Sequence, residues 1–243
     1  ACGMETCILP SAVLSTHTAG FSGFTFRDLT DDMDAILAHW NKEGLKFDAF
    51  YTGYVSKAQI PLILKIMEET ANPGALRIVD PVMADHGKLY SGFDEQYARA
   101  MAGLCRRADV IIPNITEAAM MAGLPYRDEL DEDYVSALLG RIPGKNVLLT
   151  GVGFTPDQTG FALRSEEGVS YHFHSKVGKS YSGTGDIFAA AFCGAVASGK
   201  DLMDAGKLAA DFTLRCIENT AAAPALWYGV KFETALQKLI KML

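Results

Sequence analysis

The chain has 243 residues, 49% of them hydrophobic, enough to bury one large core, and its length alone does not require two domains. A net charge of −7 and a pI near 5.2 give no basic field for nucleic acid or an acidic membrane, and Lys and Arg are scattered. No apolar run approaches the length of a membrane span, and the first residues lack a charged stretch followed by an apolar one, so a soluble cytoplasmic protein is expected.

Short β-rich runs alternate with longer segments of helical period, the pattern of an α/β protein with a mostly parallel sheet. A strand at 6–14 precedes a helix at 31–43 behind Thr30, and a strand at 49–52 precedes a helix at 57–69 behind Ser56. Strand 76–79 and helix 94–104 follow, then strand 109–112, helices 117–122 and 131–139, and strand 146–149. Stretches 159–164 and 169–174 alternate in polarity around Ser165-Glu166-Glu167-Gly168 and read as a hairpin. Helices at 187–198, 202–219 and 231–242 close the chain. No repeat or linker is present, so residues 1–243 read as a single domain.

Polar residues sit where the predicted strands end. They are Thr16-His17-Thr18, Thr52-Gly53-Tyr54, Asp80-Pro81-Val82, Pro113-Asn114-Ile115-Thr116-Glu117 and Thr150-Gly151. Open α/β sheets bind ligands outside their carboxyl edge. Any one of these is an ordinary turn or cap, and Thr116 reads as the cap of the helix starting at Glu117. Five in succession point to a site.

The most informative stretch is Ser182-Gly183-Thr184-Gly185-Asp186, opening the small, apolar run 187–197. Glycines at a helix start let backbone N–H groups converge on an anion, where the helix dipole also favours negative charge. Asp186 in that position is a poor phosphate ligand and a good proton acceptor. Two other readings compete: turn glycines with Asp186 as a first-turn acid, and a dinucleotide fingerprint. The fingerprint lacks its preceding strand and its acid at a following strand end.

Together these features suggest phosphoryl transfer, with donor phosphates on the amides of Gly183 to Gly185, Mg²⁺ on Asp80 and Glu117 directly or through water, and Asp186 as base. No Walker sequence or protein-kinase H-R-D set occurs.

In order along the chain, Ser15-Thr16-His17-Thr18, Thr52-Gly53-Tyr54, Asp80-Pro81-Val82-Met83, Pro113-Asn114-Ile115-Thr116-Glu117 and Gly183-Thr184-Gly185-Asp186 resemble the ribokinase-like small-molecule kinases, and among them the pyridoxal (vitamin B6) kinases. The resemblance implies a three-layer α/β/α fold with a mostly parallel central sheet, a homodimer, ATP with Mg²⁺, and often a monovalent cation, K⁺ or Na⁺. It implies phosphorylation of the 5′-hydroxymethyl group of a B6 vitamer, with Asp186 as catalytic base and Gly183, Thr184 and Gly185 as anion hole. By the same resemblance Asp80, Asp85, Asn114, Thr150 and Thr184 contact the nucleotide and Glu117 the metal. Thr18 meets the pyridine ring, Tyr54 and Leu14 line its pocket, and His17 is a further candidate.

Hydroxymethylpyrimidine kinases of thiamine synthesis share the D-P-V-M and P-N-x-x-E segments but typically carry Cys at the place of Asp186, and sugar kinases usually have Asp where this chain has Ser180. Related sequences often have Asn at the place of Thr16. They also begin with an extra strand, whereas this chain opens at Ala1-Cys2-Gly3, so the family's N-terminal strand is expected to be absent from it. A non-catalytic vitamer-binding protein and a nicotinamide-dependent oxidoreductase are the competing functional classes.

The remaining features carry plainer expectations. The five cysteines, Cys2, Cys7, Cys105, Cys193 and Cys216, show no C-x-x-C spacing and read as reduced, mostly buried small hydrophobes. His172 and His174 share one face of a strand and read as exposed residues, Asp31, Asp32 and Asp34 as an acidic first turn, and Trp40 and Trp227 as core or interface packing. Residues 155–160 read as a mobile loop.

Overall fold

The computed structural model describes residues 2–18, 20–178, 181–223 and 228–243. They divide into two compact units, one of Thr6–Tyr126 with Arg141–Lys145, the other of Ala1–Glu5, Arg127–Gly140 and Asn146–Leu243.

The first unit opens with an antiparallel ribbon of β1 (Ala12–Leu14) and β2 (Phe26–Asp28). Strand 6–14 is therefore corrected to its last three residues. Pro10 has no amide to give a ladder, and Thr6, Cys7 and Ile8 are exposed. As a result Thr16-His17-Thr18 leaves a ribbon strand rather than a strand of the central sheet. Helix α1 (Thr30–Lys42) begins behind Leu29, and the Asp28 carboxylate, not Thr30, closes its start by accepting from the Thr30 amide at 2.7 Å and from the Thr30 hydroxyl.

Strand β3 (Phe47–Thr52) leads to α2 (Ile60–Thr70), which starts later than expected because Pro61 suits a first turn. Ser56 does not cap it by its hydroxyl; its amide donates to Gln59 Oε1 at 2.9 Å. Next come β4 (Ala71–Val79), an unforeseen small hairpin of β5 (Ala84–Asp85) and β6 (Lys88–Leu89), α3 (Glu95–Cys105), β7 (Val110–Ile111) and α4 (Ile115–Ala122).

Strands β3, β4 and β7 are parallel, in the order β7-β4-β3, and Thr52, Val79 and Ile111 are register partners across them. The chain thus leaves all three strands at one edge, which brings Gly53, Asp80 and Pro113 to the same rim. Ile78, Val79, Val110 and Ile111 are buried on both faces, as parallel strands covered by helices require.

In the second unit, α5 (Glu132–Arg141, all but its last residue in this unit) precedes an antiparallel meander of β8 (Asn146–Val152), β9 (Gln158–Ser165) and β10 (Gly168–Ser175). Two sequence expectations need correcting here. Thr150-Gly151 lies within β8, at a register shift between Thr150 and Val152, instead of beyond its end. Residues 158–160 are strand, not loop, because β9 pairs through Gly160 with Val152.

Helices α6 (Thr184–Ala197) and α7 (Leu202–Ala221) follow, and the last predicted helix reduces to a 3-10 turn at Glu233–Ala235 and α8 (Leu236–Met242). Helix α7 approaches the meander so closely that a Cβ at Gly206 would lie 2.6 Å from Phe161 Cζ and 3.1 Å from Leu148 Cδ1. Phe161, Leu148, Ala205 and Ala209 are all buried there. Of the cysteines only Cys105 and Cys216 are buried; Cys2 and Cys193 are half-buried and Cys7 is exposed. Among the described residues no helix is long and apolar enough to cross a membrane.

Candidate active site

At the parallel-strand rim of the first unit, the segment after β4 is held by the start of α4. Asn114 caps α4, accepting from the Glu117 amide at 2.9 Å, while Glu117 Oε2 accepts from the Asn114 amide at 2.9 Å, a reciprocal capping box. Glu117 Oε1 also accepts from Met83 N at 2.8 Å, Asn114 Nδ2 donates to Ala84 O at 2.8 Å, and Thr116 Oγ1 accepts from Gly87 N at 3.1 Å. So Asn114, rather than Thr116, is the cap, and Thr116 anchors the β5–β6 hairpin.

These bonds hold backbone that would otherwise relax. Val82 sits at φ 37° and His86 at φ 48°, a region costly for a β-branched side chain. Asp80 and Asp85 lie just outside and within this strained stretch. The Asp80 oxygens make long contacts of 3.4 Å with Val82 N and Tyr51 Oη, while Asp85 Oδ1 accepts from His86 N at 2.8 Å. Burial pushes the Glu117 carboxyl up to about 7, against the lowering effect of its backbone partners.

The same unit carries the candidate ring-binding residues. Tyr54 is 39% exposed and its ring is offset-stacked on Phe93. Leu14 is half-buried in β1, and Thr18 and His17 are exposed, the His17 ring set edge-on to Phe21 at 4.9 Å. The hydroxyls of Thr16, Thr52 and Ser56 are buried without a hydrogen-bond partner, the condition in which a water or polar ligand completes a site.

In the second unit, Gly183 stands at the N-cap of α6 with φ 86°, and no side chain caps the helix. Among the described residues a Cβ at Gly183 or at Gly185 would meet nothing within 4 Å, so no described side chain crowds the first-turn amides, whose N–H groups a helix leaves unpaired. The Thr184 hydroxyl donates to Tyr181 O at 3.2 Å. Asp186 occupies the first turn, open to solvent at its surface, and partial desolvation pushes its carboxyl above the usual range. An anion cradle with an adjoining base is the chemistry this offers. Thr150 belongs to the same unit, whereas Asp80, Asp85, Asn114 and Glu117 belong to the first.

Family comparison agrees with that chemistry: the phosphomethylpyrimidine kinase model matches residues 7–228. The chain belongs to this kinase family. It is 28% identical over 217 residues to the hydroxymethylpyrimidine/phosphomethylpyrimidine kinase of Bacillus subtilis, covering 86% of this chain and 77% of that one. Among solved structures, pyridoxal kinase from Lactobacillus plantarum aligns at 35% identity and a TM-score of 0.87, covering 96% of this chain and 85% of its own. A phosphomethylpyrimidine kinase homologue from Bacteroides thetaiotaomicron, crystallised with pyridoxal, aligns at 32% and 0.87, covering 98% and 86%. The fold is accordingly the α/β, ribokinase-like one expected.

Mg²⁺ takes one or two carboxylates and completes its shell with water and phosphate. Among the described residues no group of three or more His, Cys, Asp or Glu could hold a metal, so protein ligands alone do not build a cage. Asp80, a carboxylate at the rim directly after β4, fits the carboxylate part of such a shell. Glu117 is 2% exposed and already gives its oxygens to backbone amides.

Residues that sequence reasoning passed over also matter. Gln59 is fully buried, donating to Ser11 O at 2.8 Å while accepting from Ser56 N, and so ties the start of the ribbon to α2. The spacing Ser56-x-x-Gln59 is the available signal. Phe93 and Tyr97 gave none, because aromatic residues at a helix start read as core. His172 proves half-buried, its ring 5.4 Å from Phe161, not exposed. Trp40 packs edge-on to Phe47 at 5.2 Å and borders a groove of about 540 Å³ together with Arg27, Leu29 and Ile36. Ser180 and Trp227 lie outside the described residues.

Proposed function

We propose that the protein is an ATP-dependent pyridoxal kinase, transferring a phosphoryl group to the 5′-hydroxymethyl group of pyridoxal, pyridoxine or pyridoxamine. The observation that carries this reading is Asp186, a carboxylate with raised proton affinity in the first turn of α6, directly after the uncapped Gly183. It stands where hydroxymethylpyrimidine kinases resemble one another in having Cys. A relative of 32% identity crystallised with pyridoxal supports the same acceptor.

Asp186 takes the proton of the acceptor hydroxyl as its oxygen bonds to the terminal phosphorus and the bond to the ADP oxygen breaks. The amides of Gly183, Thr184 and Gly185 hold charge on the moving phosphoryl group, and positioning supplies most of the rate in such a loose transition state. Asp80 would hold Mg²⁺, with Glu117 reaching it through water at most. The metal's contribution is to neutralise phosphate charge. Asp85, Asn114, Thr150 and Thr184 are the nucleotide contacts in this proposal, and Tyr54, Leu14, Thr18 and His17 the ring contacts. A monovalent cation, a homodimer and a cytoplasmic location belong to the same proposal.

A second reading, hydroxymethylpyrimidine kinase, is favoured by the match to the Bacillus enzyme over 86% of this chain. The deciding experiment is ATP-dependent formation of pyridoxal 5′-phosphate, run beside hydroxymethylpyrimidine and without acceptor. Turnover with B6 vitamers alone supports the proposal. Turnover with hydroxymethylpyrimidine alone replaces it by the second reading.

A further inference from the structure

Tyr54 follows β3 on a short segment that the first unit grips from two directions. Its ring lies 5.9 Å from that of Phe93 at 24°, and Phe93 in turn lies 3.8 Å from Tyr97 at 2°, so three rings form one continuous stack. Tyr97 is 2% exposed and donates its hydroxyl to Val55 O at 2.8 Å, fixing the backbone next to Tyr54. Tyr97 is itself held: its amide donates to the Asp94 carboxylate that caps α3, and Phe93 immediately precedes that cap. Only the outermost ring of the stack, Tyr54, is substantially exposed. A stack closed at one end and open at the other is a platform for one more planar ring, since offset stacking favours continuation by a flat aromatic face.

We infer that Phe93 and Tyr97 are positioning residues that set the plane of Tyr54, and so determine affinity for a planar heteroaromatic acceptor. The inference rests on the proposed function for the identity of the ring, though not for its planarity. Phe93 orients the Tyr54 ring by stacking, and Tyr97 orients the segment through Val55. Neither touches substrate.

The test is calorimetric titration of the full chain with pyridoxal, with hydroxymethylpyrimidine and with a non-hydrolysable ATP analogue, beside thermal unfolding. Phe93→Leu is expected to weaken binding of the preferred ring about tenfold while the nucleotide affinity and melting temperature stay at wild-type values, and Phe93→Tyr to restore it. Wild-type ring affinity in Phe93→Leu overturns the inference, as does an equal loss for ring and nucleotide. Should Phe93→Leu fail to fold, Tyr97→Phe keeps all three rings and removes only the bond to Val55 O. It is expected to weaken ring binding about threefold with nucleotide affinity unchanged, and unaltered ring binding overturns the inference. If the wild-type chain takes hydroxymethylpyrimidine and no B6 vitamer, the B6 assignment falls and the stack is judged on that ring. A chain that binds neither ring overturns both.

Discussion

Glu117 Oε1 accepts a hydrogen bond from Met83 N at 2.8 Å, so a carboxylate in α4 holds the backbone three residues after Asp80. The group is almost fully buried, and burial places its pKa at about 7 against 4.5 when exposed. Between those values the folded protein binds a proton that the unfolded chain does not, so Glu117 makes stability fall as pH rises from about 4.5 to about 7 and contributes no slope outside that window. The amplitude is about 3 kcal/mol. Urea denaturation of metal-free protein across this range should show the wild-type advantage over Glu117→Gln shrinking as pH rises. A constant difference between the two would refute the buried, proton-binding carboxyl.

Asp186→Asn should lower kcat by about 10²–10⁴-fold while nucleotide still binds, because it removes a base and no phosphate ligand. Desolvation raises the Asp186 pKa above its ordinary value of 3.8, and the base works only when ionised. Wild-type kcat/KM for the acceptor should therefore decline as pH falls through the raised pKa, with unit slope, and the residual rate of the variant should lack that limb. Full turnover in Asp186→Asn would exclude it as the base.

Gly206→Ala tests the packing of α7 on the meander. The new methyl would lie 2.6 Å from the Phe161 ring edge and 3.1 Å from Leu148 Cδ1, both in a filled core. Overpacking of this kind costs about 1–3 kcal/mol. Thermal unfolding should show the loss, with kcat per folded molecule unchanged.

Much of this was legible in the sequence because it follows from local rules. The polar residues at the ends of β3, β4 and β7 could be placed on one rim from strand periodicity alone, and Gly183 with Asp186 at a helix start from glycine and first-turn chemistry. What was illegible depends on distant partners. Strand 6–14 looked continuous by its apolar content, yet only residues 12–14 find a ladder, with 26–28. Thr150-Gly151 looked like a strand end, but pairing with β9 carries β8 past it. Glu117 read as a metal ligand from its motif, and its bonds to Met83 and Ala84 depend on a hairpin that two-residue strands do not announce.

The last prediction concerns the cradle itself. Gly183 holds φ 86°, where an L side chain is strained, while a Cβ there would meet nothing within 4 Å among the described residues, so Gly183→Ala introduces backbone strain without a clash with them. In the left-handed region that strain is about 1–2 kcal/mol. It can be relieved only by turning the peptide that starts α6, which swings the first-turn amides away from a bound anion. The variant should therefore lose both stability, by about that amount, and affinity for the ATP analogue, whereas Gly185→Ala, in ordinary helical backbone with open space around it, should keep its stability. Calorimetry with the analogue and thermal unfolding of both variants separate the two effects. Nucleotide affinity unchanged in Gly183→Ala, despite the expected loss of stability, would mean that these amides do not bind the phosphates.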